Sequence, residues 1–172
     1  MKPSDIQKFI DKAKDLEKGH SMDLSSGEDL SLAIMNLIGI EEHMFFTSQK
    51  LGDTKYIDVL NTAREMRKEL MKKIVKEGQG EVWCTSKHLL SASMRLMEVG
   101  TKYLTKGDNK EANEYFKKSF DLYNLFWGLN LGMVKSDPTK IKFEDQDTPL
   151  PKKDLLGTIS QTIGKILDCC RE

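Results

Sequence analysis

Proline is almost missing from the interior of this chain. The four prolines stand at positions 3, 138, 149 and 151, so residues 4–137 contain none. Because proline interrupts helices, this distribution favours long helices joined by short turns. No stretch shows the regular alternation of apolar and polar residues that indicates a strand. The sequence therefore predicts an all-α protein.

An excess of charge and a long apolar run are both absent. Lysine plus arginine equals aspartate plus glutamate at 27 each, whereas proteins that bind nucleic acid or membrane surfaces usually carry a basic excess. No apolar run approaches the roughly 18 residues that span a bilayer, and residues 1–19 are too charged for a signal peptide. We expect a soluble, cytoplasmic protein that binds neither nucleic acid nor membrane.

Cysteine is scarce and the familiar site motifs are missing. Cys84, Cys169 and Cys170 form an odd set with two neighbours, which indicates reduced thiols inside a cell. A di-iron bundle needs a Glu-x-x-His motif on each of two helices, and the chain does not have two. The glycine-bearing run at 157–165 lacks the spacing and the preceding strand of a phosphate loop, and no Gly-x-Gly-x-x-Gly occurs.

Periodic apolar residues between glycine-containing turns divide the chain into helices. Four long ones are predicted at about 28–50, 54–76, 81–106 and 109–132, the first and last opening on the capping boxes Ser25/Glu28 and Asp108/Glu111. We predict an antiparallel four-helix bundle, a single domain over residues 1–172. A short N-terminal helix at about 4–18 and a C-terminal helix at about 153–168, after the long loop 135–154, would flank it.

Two charged residues fall in the middle of apolar helix faces, Glu41 on the first long helix and Arg67 on the second. Counted outward from the turn between these helices, the two lie within one helical turn of each other. They could form a buried ion pair that fixes helix register, or Glu41 could reach solvent at a helix edge. A third possibility is a polar pocket, with Arg67 and Arg64 holding an anion, Glu41 as acid or base, and Ser91, Tyr123 and Asn130 as further candidate ligand contacts.

A polar stripe follows one face of the third long helix: Glu81, Cys84, His88, Ser91, Arg95, Glu98 and Lys102. Cys84 and His88 have the i, i+4 spacing of metal ligands on one helix, and Glu81 or His43 would add to a zinc site. The alternatives are a solvated stripe and a thiol enzyme with Cys84 as nucleophile and His88 as base. No orienting group or oxyanion donor is evident, so no catalytic residue is assigned.

One helical hairpin resembles a single tetratricopeptide repeat. The matching positions are Leu96, Val99, Gly100, Tyr103, Gly107, Asp108, Ala112, Phe116 and Ser119. The resemblance implies a helical surface that binds peptides or protein segments. Because one repeat cannot bury its own faces, we interpret it as local hairpin packing in which Gly100 and Ala112 permit close approach and Tyr103 fills the gap, and we assign no family.

Two functions fit these patterns. The first is a protein-interaction or self-associating module, with a protein partner or a homodimer. The alternative is a bundle that binds a small ligand or a divalent metal such as zinc, with a polar interior site around Glu41/Arg67 and Cys84/His88. No motif specifies a substrate, a ligand or a partner.

Overall fold

Four helices account for nearly all of the described part of the chain. The structure is a computed structural model that describes residues 24–76 and 80–132. Its helices are α1, Leu24–Leu51; α2, Lys55–Ile74; α3, Glu81–Thr105; and α4, Asn109–Asn130, and these ranges contain no strand. The all-α helical-bundle fold is thus confirmed. The predicted helices at 4–18 and 153–168, the loop 135–154, and Cys169 and Cys170 lie outside the described residues.

Each hairpin turns on a glycine with positive φ followed by an aspartate. Gly52 has a φ of 64° and Gly107 a φ of 80°, values that favour glycine. At the second turn the Asp108 amide donates to the Tyr103 carbonyl at 3.1 Å, and the Asp108 carboxylate accepts from the Glu111 amide at 3.1 Å. The predicted cap at Asp108 is therefore confirmed. The predicted cap at Ser25 is wrong, because α1 begins before it, at Leu24.

Small residues bring α3 and α4 into close contact. They recur in steps of seven on both helices, and we call this line of contact the small-residue seam: Ser86, Ser93 and Gly100 on α3, with Ala112 and Ser119 on α4. Ser93 Oγ donates to the Ser119 carbonyl at 2.9 Å, and Ser119 Oγ donates to the Ser93 carbonyl at 2.7 Å. A Cβ at Gly100 would lie 2.5 Å from the Phe116 ring. Side chains larger than these would force the two helices apart.

The buried core draws on all four helices and lies toward the end of the bundle where α1 begins and α4 ends. Its members are Ile34, Met35, Met71, Ile74, Val75, Leu89, Leu90, Phe126, Trp127 and Leu131. At this end α1 packs on α4: Gly27 lies beside the Trp127 ring, and the Ser31 hydroxyl is 2.7 Å from the Tyr123 hydroxyl. Hydrophobic burial here ties the α1–α2 hairpin to the α3–α4 hairpin.

Away from that core, several apolar residues on predicted buried faces are exposed instead. Phe45 on α1, Val59 and Met66 on α2, and Met97 on α3 are all more than two-fifths exposed. Each of these residues lies on the helix face that the periodicity predicts. The predicted burial is wrong, because the described helices do not cover these faces. Periodicity shows only which residues share a face.

Replacing Gly100 tests the close approach along the seam. We expect Gly100→Ala to lower the free energy of unfolding by about 1–3 kcal/mol, because the new methyl group would overlap the Phe116 ring. Gly39→Ala is the matched control, since its Cβ would meet nothing closer than Met94 at 3.9 Å. That change should be neutral or stabilising by up to about 1 kcal/mol. Urea unfolding of both variants measures the difference, and equal effects would contradict the close packing.

Candidate functional site

The Glu41 carboxylate and the Arg67 guanidinium form a two-pronged ion pair between α1 and α2. Arg67 Nε donates to Glu41 Oε1 at 2.6 Å and Arg67 Nη2 donates to Glu41 Oε2 at 3.1 Å. The Arg67 side chain is 3 % exposed and that of Glu41 is 15 % exposed. The remaining nitrogen, Nη1, lies 3.7 Å from the sulfur of Met71. The pairing expected from the two interrupted apolar faces is present.

This arrangement favours the structural interpretation of the pair over an anion pocket. Both carboxylate oxygens already accept from Arg67, and a buried charge that lacked such a partner would cost several kcal/mol. Arg64, the second predicted anion ligand, is exposed. Ser91 is half-buried on α3 and makes no side-chain hydrogen bond to another described residue. Of the predicted pocket residues, Glu41 and Arg67 are in direct contact.

The neighbouring glutamate pairs in the other direction. Glu42 Oε2 accepts from Arg95 Nε at 3.0 Å and also from Arg95 Nη2, so it links α1 to α3. Both partners are more than one-third exposed, and ion pairs in such settings contribute little to stability. Two consecutive glutamates thus hold α1 against a different helix on each side, one pair buried and the other in solvent.

The predicted metal ligands do not assemble. Glu81, Cys84 and His88 on α3 and His43 on α1 are all exposed. Within 24–76 and 80–132, no three His, Cys, Asp or Glu side chains lie close enough to hold a metal ion. The polar stripe of α3 turns outward there, because Leu89 and Leu90 on the opposite face enter the core. Spacing along one helix places side chains on a face without showing which way that face points.

An open apolar groove lies beside the small-residue seam, between α1 and the α3–α4 hairpin. It has a volume of about 380 Å³. Its lining comes from three helices: Leu32 and Met35 on α1; Ser93, Met94 and Met97 on α3; and Phe116, Ser119, Phe120 and Tyr123 on α4. Leu32, Met97 and Phe120 are each more than two-fifths exposed, so large apolar surface lies open to water.

The groove has few polar groups, and those it has are already paired. Ser93 and Ser119 bond to each other across the seam. Ser31 Oγ donates its one proton to the Glu28 carbonyl at 2.7 Å, so the Tyr123 hydroxyl donates to Ser31. Burial raises the pKa of the Tyr123 phenol, against the opposing effects of the Ser31 hydrogen bond and the nearby Trp127 indole. The phenol keeps its proton, and apolar contact dominates what the groove offers a ligand.

Two asparagines of α4 have opposite environments. Asn130, a predicted ligand contact, is half-buried, and its amide donates to Ser86 Oγ at 3.0 Å and to the Phe126 carbonyl at 2.8 Å. The bond to Ser86 joins the last residue of α4 to the first turns of α3. Asn124 is fully buried, and neither its amide nitrogen nor its amide oxygen has a hydrogen-bond partner. Burying an unpaired polar group costs about 1–3 kcal/mol, which the surrounding apolar contacts must offset.

Comparisons with protein-family models, curated proteins and solved structures found no match to this chain. None of the four described helices is long and apolar enough to cross a membrane.

Sequence reasoning named Tyr123 as a candidate ligand contact, and Tyr123 lines the groove, but it did not predict the groove itself. The step of seven in Ser86, Ser93 and Gly100 is visible in the sequence, and it is the signal that would have revealed the seam. Once the seam is recognised, the positions of the large groove residues on α3 and α4 can be deduced, because on each helix they lie on one flank of the small residues. Their exposure had no sequence signal, since it depends on how far α1 extends over that flank.

Breaking the interior ion pair tests its structural role. Glu41→Ala and Arg67→Ala should each lower the free energy of unfolding by about 3–5 kcal/mol, because each leaves a buried charge unpaired. The double variant Glu41→Leu/Arg67→Met should recover much of this loss. The exposed pair is the control: Glu42→Ala and Arg95→Ala should each cost under about 1 kcal/mol. Unchanged melting temperatures in the Glu41 and Arg67 variants would show that the pair is not buried.

Proposed function

We propose that this helical bundle is a protein-interaction module whose apolar groove binds an amphipathic helix of a partner protein. The observation that carries the proposal is the exposed apolar surface of Leu32, Met97 and Phe120 around a groove of about 380 Å³. Helix-in-groove recognition uses apolar anchors at i, i+3, i+4 and i+7 that enter such a cleft. Contiguous exposed apolar surface of this kind is typical of interaction sites.

The chemistry of the lining favours a helix over a small molecule. Small-molecule sites combine apolar walls with a few free polar groups that orient the ligand. Here the hydroxyls of Ser93, Ser119 and Tyr123 already bond to protein groups. A partner that presents leucine, methionine or phenylalanine side chains needs no polar contacts at the bottom of the groove, and its own backbone is paired within its helix.

The alternative, a ligand or metal site, has less support. The Glu41 carboxylate is taken up by Arg67, and the described residues hold no group of three metal ligands. Self-association and a cytoplasmic location stay predictions, and neither is needed for helix binding in the groove.

A matched pair of phenylalanine substitutions tests the proposal. The probe is a fluorescent synthetic peptide of about 16 residues with leucine at i, i+3, i+4 and i+7, and binding is followed by fluorescence anisotropy. Phe120→Asp should weaken binding at least about tenfold, because it places a carboxylate against the apolar anchors. Phe46→Asp is the control, because both phenylalanines are 51 % exposed but only Phe120 lines the groove.

A scrambled peptide of the same composition controls for non-specific hydrophobic binding. We expect Phe46→Asp to stay within about twofold of the unmodified chain. Equal losses in both variants, or equal binding of the scrambled peptide, would contradict a groove-specific function.

A further inference from the structure

The groove lies about two turns of α1 from the point where the described chain begins. α1 starts at Leu24, and Gly27, in its first turn, lies against Trp127. The groove wall on α1 begins at Leu32, eight residues or about 12 Å along the helix from Leu24. The 23 residues before α1 therefore join the bundle at the end where the core lies, and only a segment that turns back along α1 reaches the groove.

Those preceding residues carry one apolar face of helical spacing. Ile6, Phe9, Ile10, Ala13 and Leu16 recur at intervals of three and four, with charged residues between them. Leucine, isoleucine and phenylalanine at this spacing are the anchors that an apolar groove between helices accepts. The sequence of residues 1–23 offers no second apolar face on which this one could pack.

The segment is long enough to reach the groove and extend past it along α1. Residues 4–18 wound as a helix would extend about 22 Å, and α1 from Leu24 to Gly39 covers about the same distance. The five residues 19–23 lie within the usual length for a connection between antiparallel helices. Counting back from that turn places Ile10 beside Leu32 and Ile6 near Met35, both of which line the groove.

We propose that residues 4–18 of the same chain occupy the groove as an amphipathic helix antiparallel to α1, and that a partner helix binds by displacing it. The second part rests on the proposed function, since the segment then regulates that same site. A tethered segment acts at an effective concentration on the order of millimolar, so it fills the groove even when its own contacts are modest. A partner must bind more tightly than this to compete.

Two other occupants are less favoured. The apolar residues within 155–167 are more than twenty residues from Gly132, and a longer connection costs more entropy to close. A second copy of the chain would lose translational and rotational freedom that a tethered segment does not lose. Both remain distinguishable outcomes of the experiment below.

Methionine oxidation reports whether the groove is covered in the full chain. Hydrogen peroxide converts accessible thioethers to sulfoxides, and peptide mass spectrometry gives the rate at each site. Met97 lines the groove and is 42 % exposed, whereas Met66 on α2 is 50 % exposed and lies outside the groove. With the segment in place, Met97 should oxidise at least about threefold more slowly than Met66, although their open surfaces are similar.

Ile10→Asp should remove that protection, because a carboxylate does not enter an apolar groove. Met97 should then oxidise within about twofold of Met66, while Lys8→Asp, on the polar side of the segment, should leave Met97 protected. Met71 is fully buried and should stay slow in every variant that keeps its fold. If Ile10→Asp exposes Met71, the milder Phe9→Ser takes its place.

Three results would overturn the inference. Equal rates at Met97 and Met66 in the unmodified chain would mean that the groove is open. Protection that disappears in Ile163→Asp but persists in Ile10→Asp would assign the groove to the C-terminal segment. Protection that falls on dilution would assign it to a second copy.

The peptide probe separates this inference from the proposed function. If both hold, Ile10→Asp binds the amphipathic peptide at least about threefold more tightly than the unmodified chain, because the competitor is gone. Met97 protection without any peptide binding in Ile10→Asp would refute displacement and the partner function, and would leave the groove as an internal packing site. Peptide binding with an unprotected Met97 would refute the occupancy alone.

Discussion

Along the small-residue seam, α3 and α4 approach so closely that only serine, glycine and alanine side chains fit between them. Ser93 and Ser119 exchange hydrogen bonds across it, and Gly100 leaves room for the Phe116 ring. Because only small side chains fit between the two helices, the large ones are displaced to one flank. Toward the end of α4, Leu90 and Trp127 on that flank are buried in the core that α1 helps to form. Further along, Met97 and Phe120 are left uncovered, and the groove results.

The position of α1 decides how much of that flank stays open. Glu41 ties α1 to α2 through a buried, two-pronged ion pair, and Glu42 ties it to α3 through an exposed one. Only the buried pair is expected to contribute strongly to stability and register. The buried Glu41–Arg67 pair holds one side of α1 against α2. Leu32 and Met35 of α1 line the groove.

Much of the fold was predictable from local signals, because helices are specified locally. The ends of the four long helices were predicted to within a few residues, and the cap of α4 was predicted at the correct residue, Asp108. Glu41 and Arg67 were recognisable because each interrupts an apolar face, and a buried charge requires a partner. The exposure of Met66 and Met97 was not predictable, since it depends on how far another helix covers them. The metal hypothesis at Cys84 and His88 depended on the direction of a helix face, which spacing does not reveal.

The tetratricopeptide-like pattern also predicted local packing but not which surface is left exposed. Gly100 and Ala112 do permit close approach, as the pattern suggested, and Tyr103 stacks on Tyr115 at 5.3 Å between ring centres. The pattern was nonetheless part of a longer regularity, the step of seven through Ser86, Ser93 and Gly100. Beside this regularity lies the flank where the large apolar side chains of Met97 and Phe120 are exposed.

Methionine methyl resonances offer a direct test of whether this flank binds a helix, as we propose. The full chain is prepared with isotope-labelled methionine methyl groups, each resonance is assigned by substitution, and an amphipathic helical peptide is added. We expect the signals of Met35, Met94 and Met97, which line the groove, to shift on binding, and that of Met66 to stay unchanged. A shift at Met66 with none at Met94 and Met97 would place helix binding on another face and refute binding in the groove.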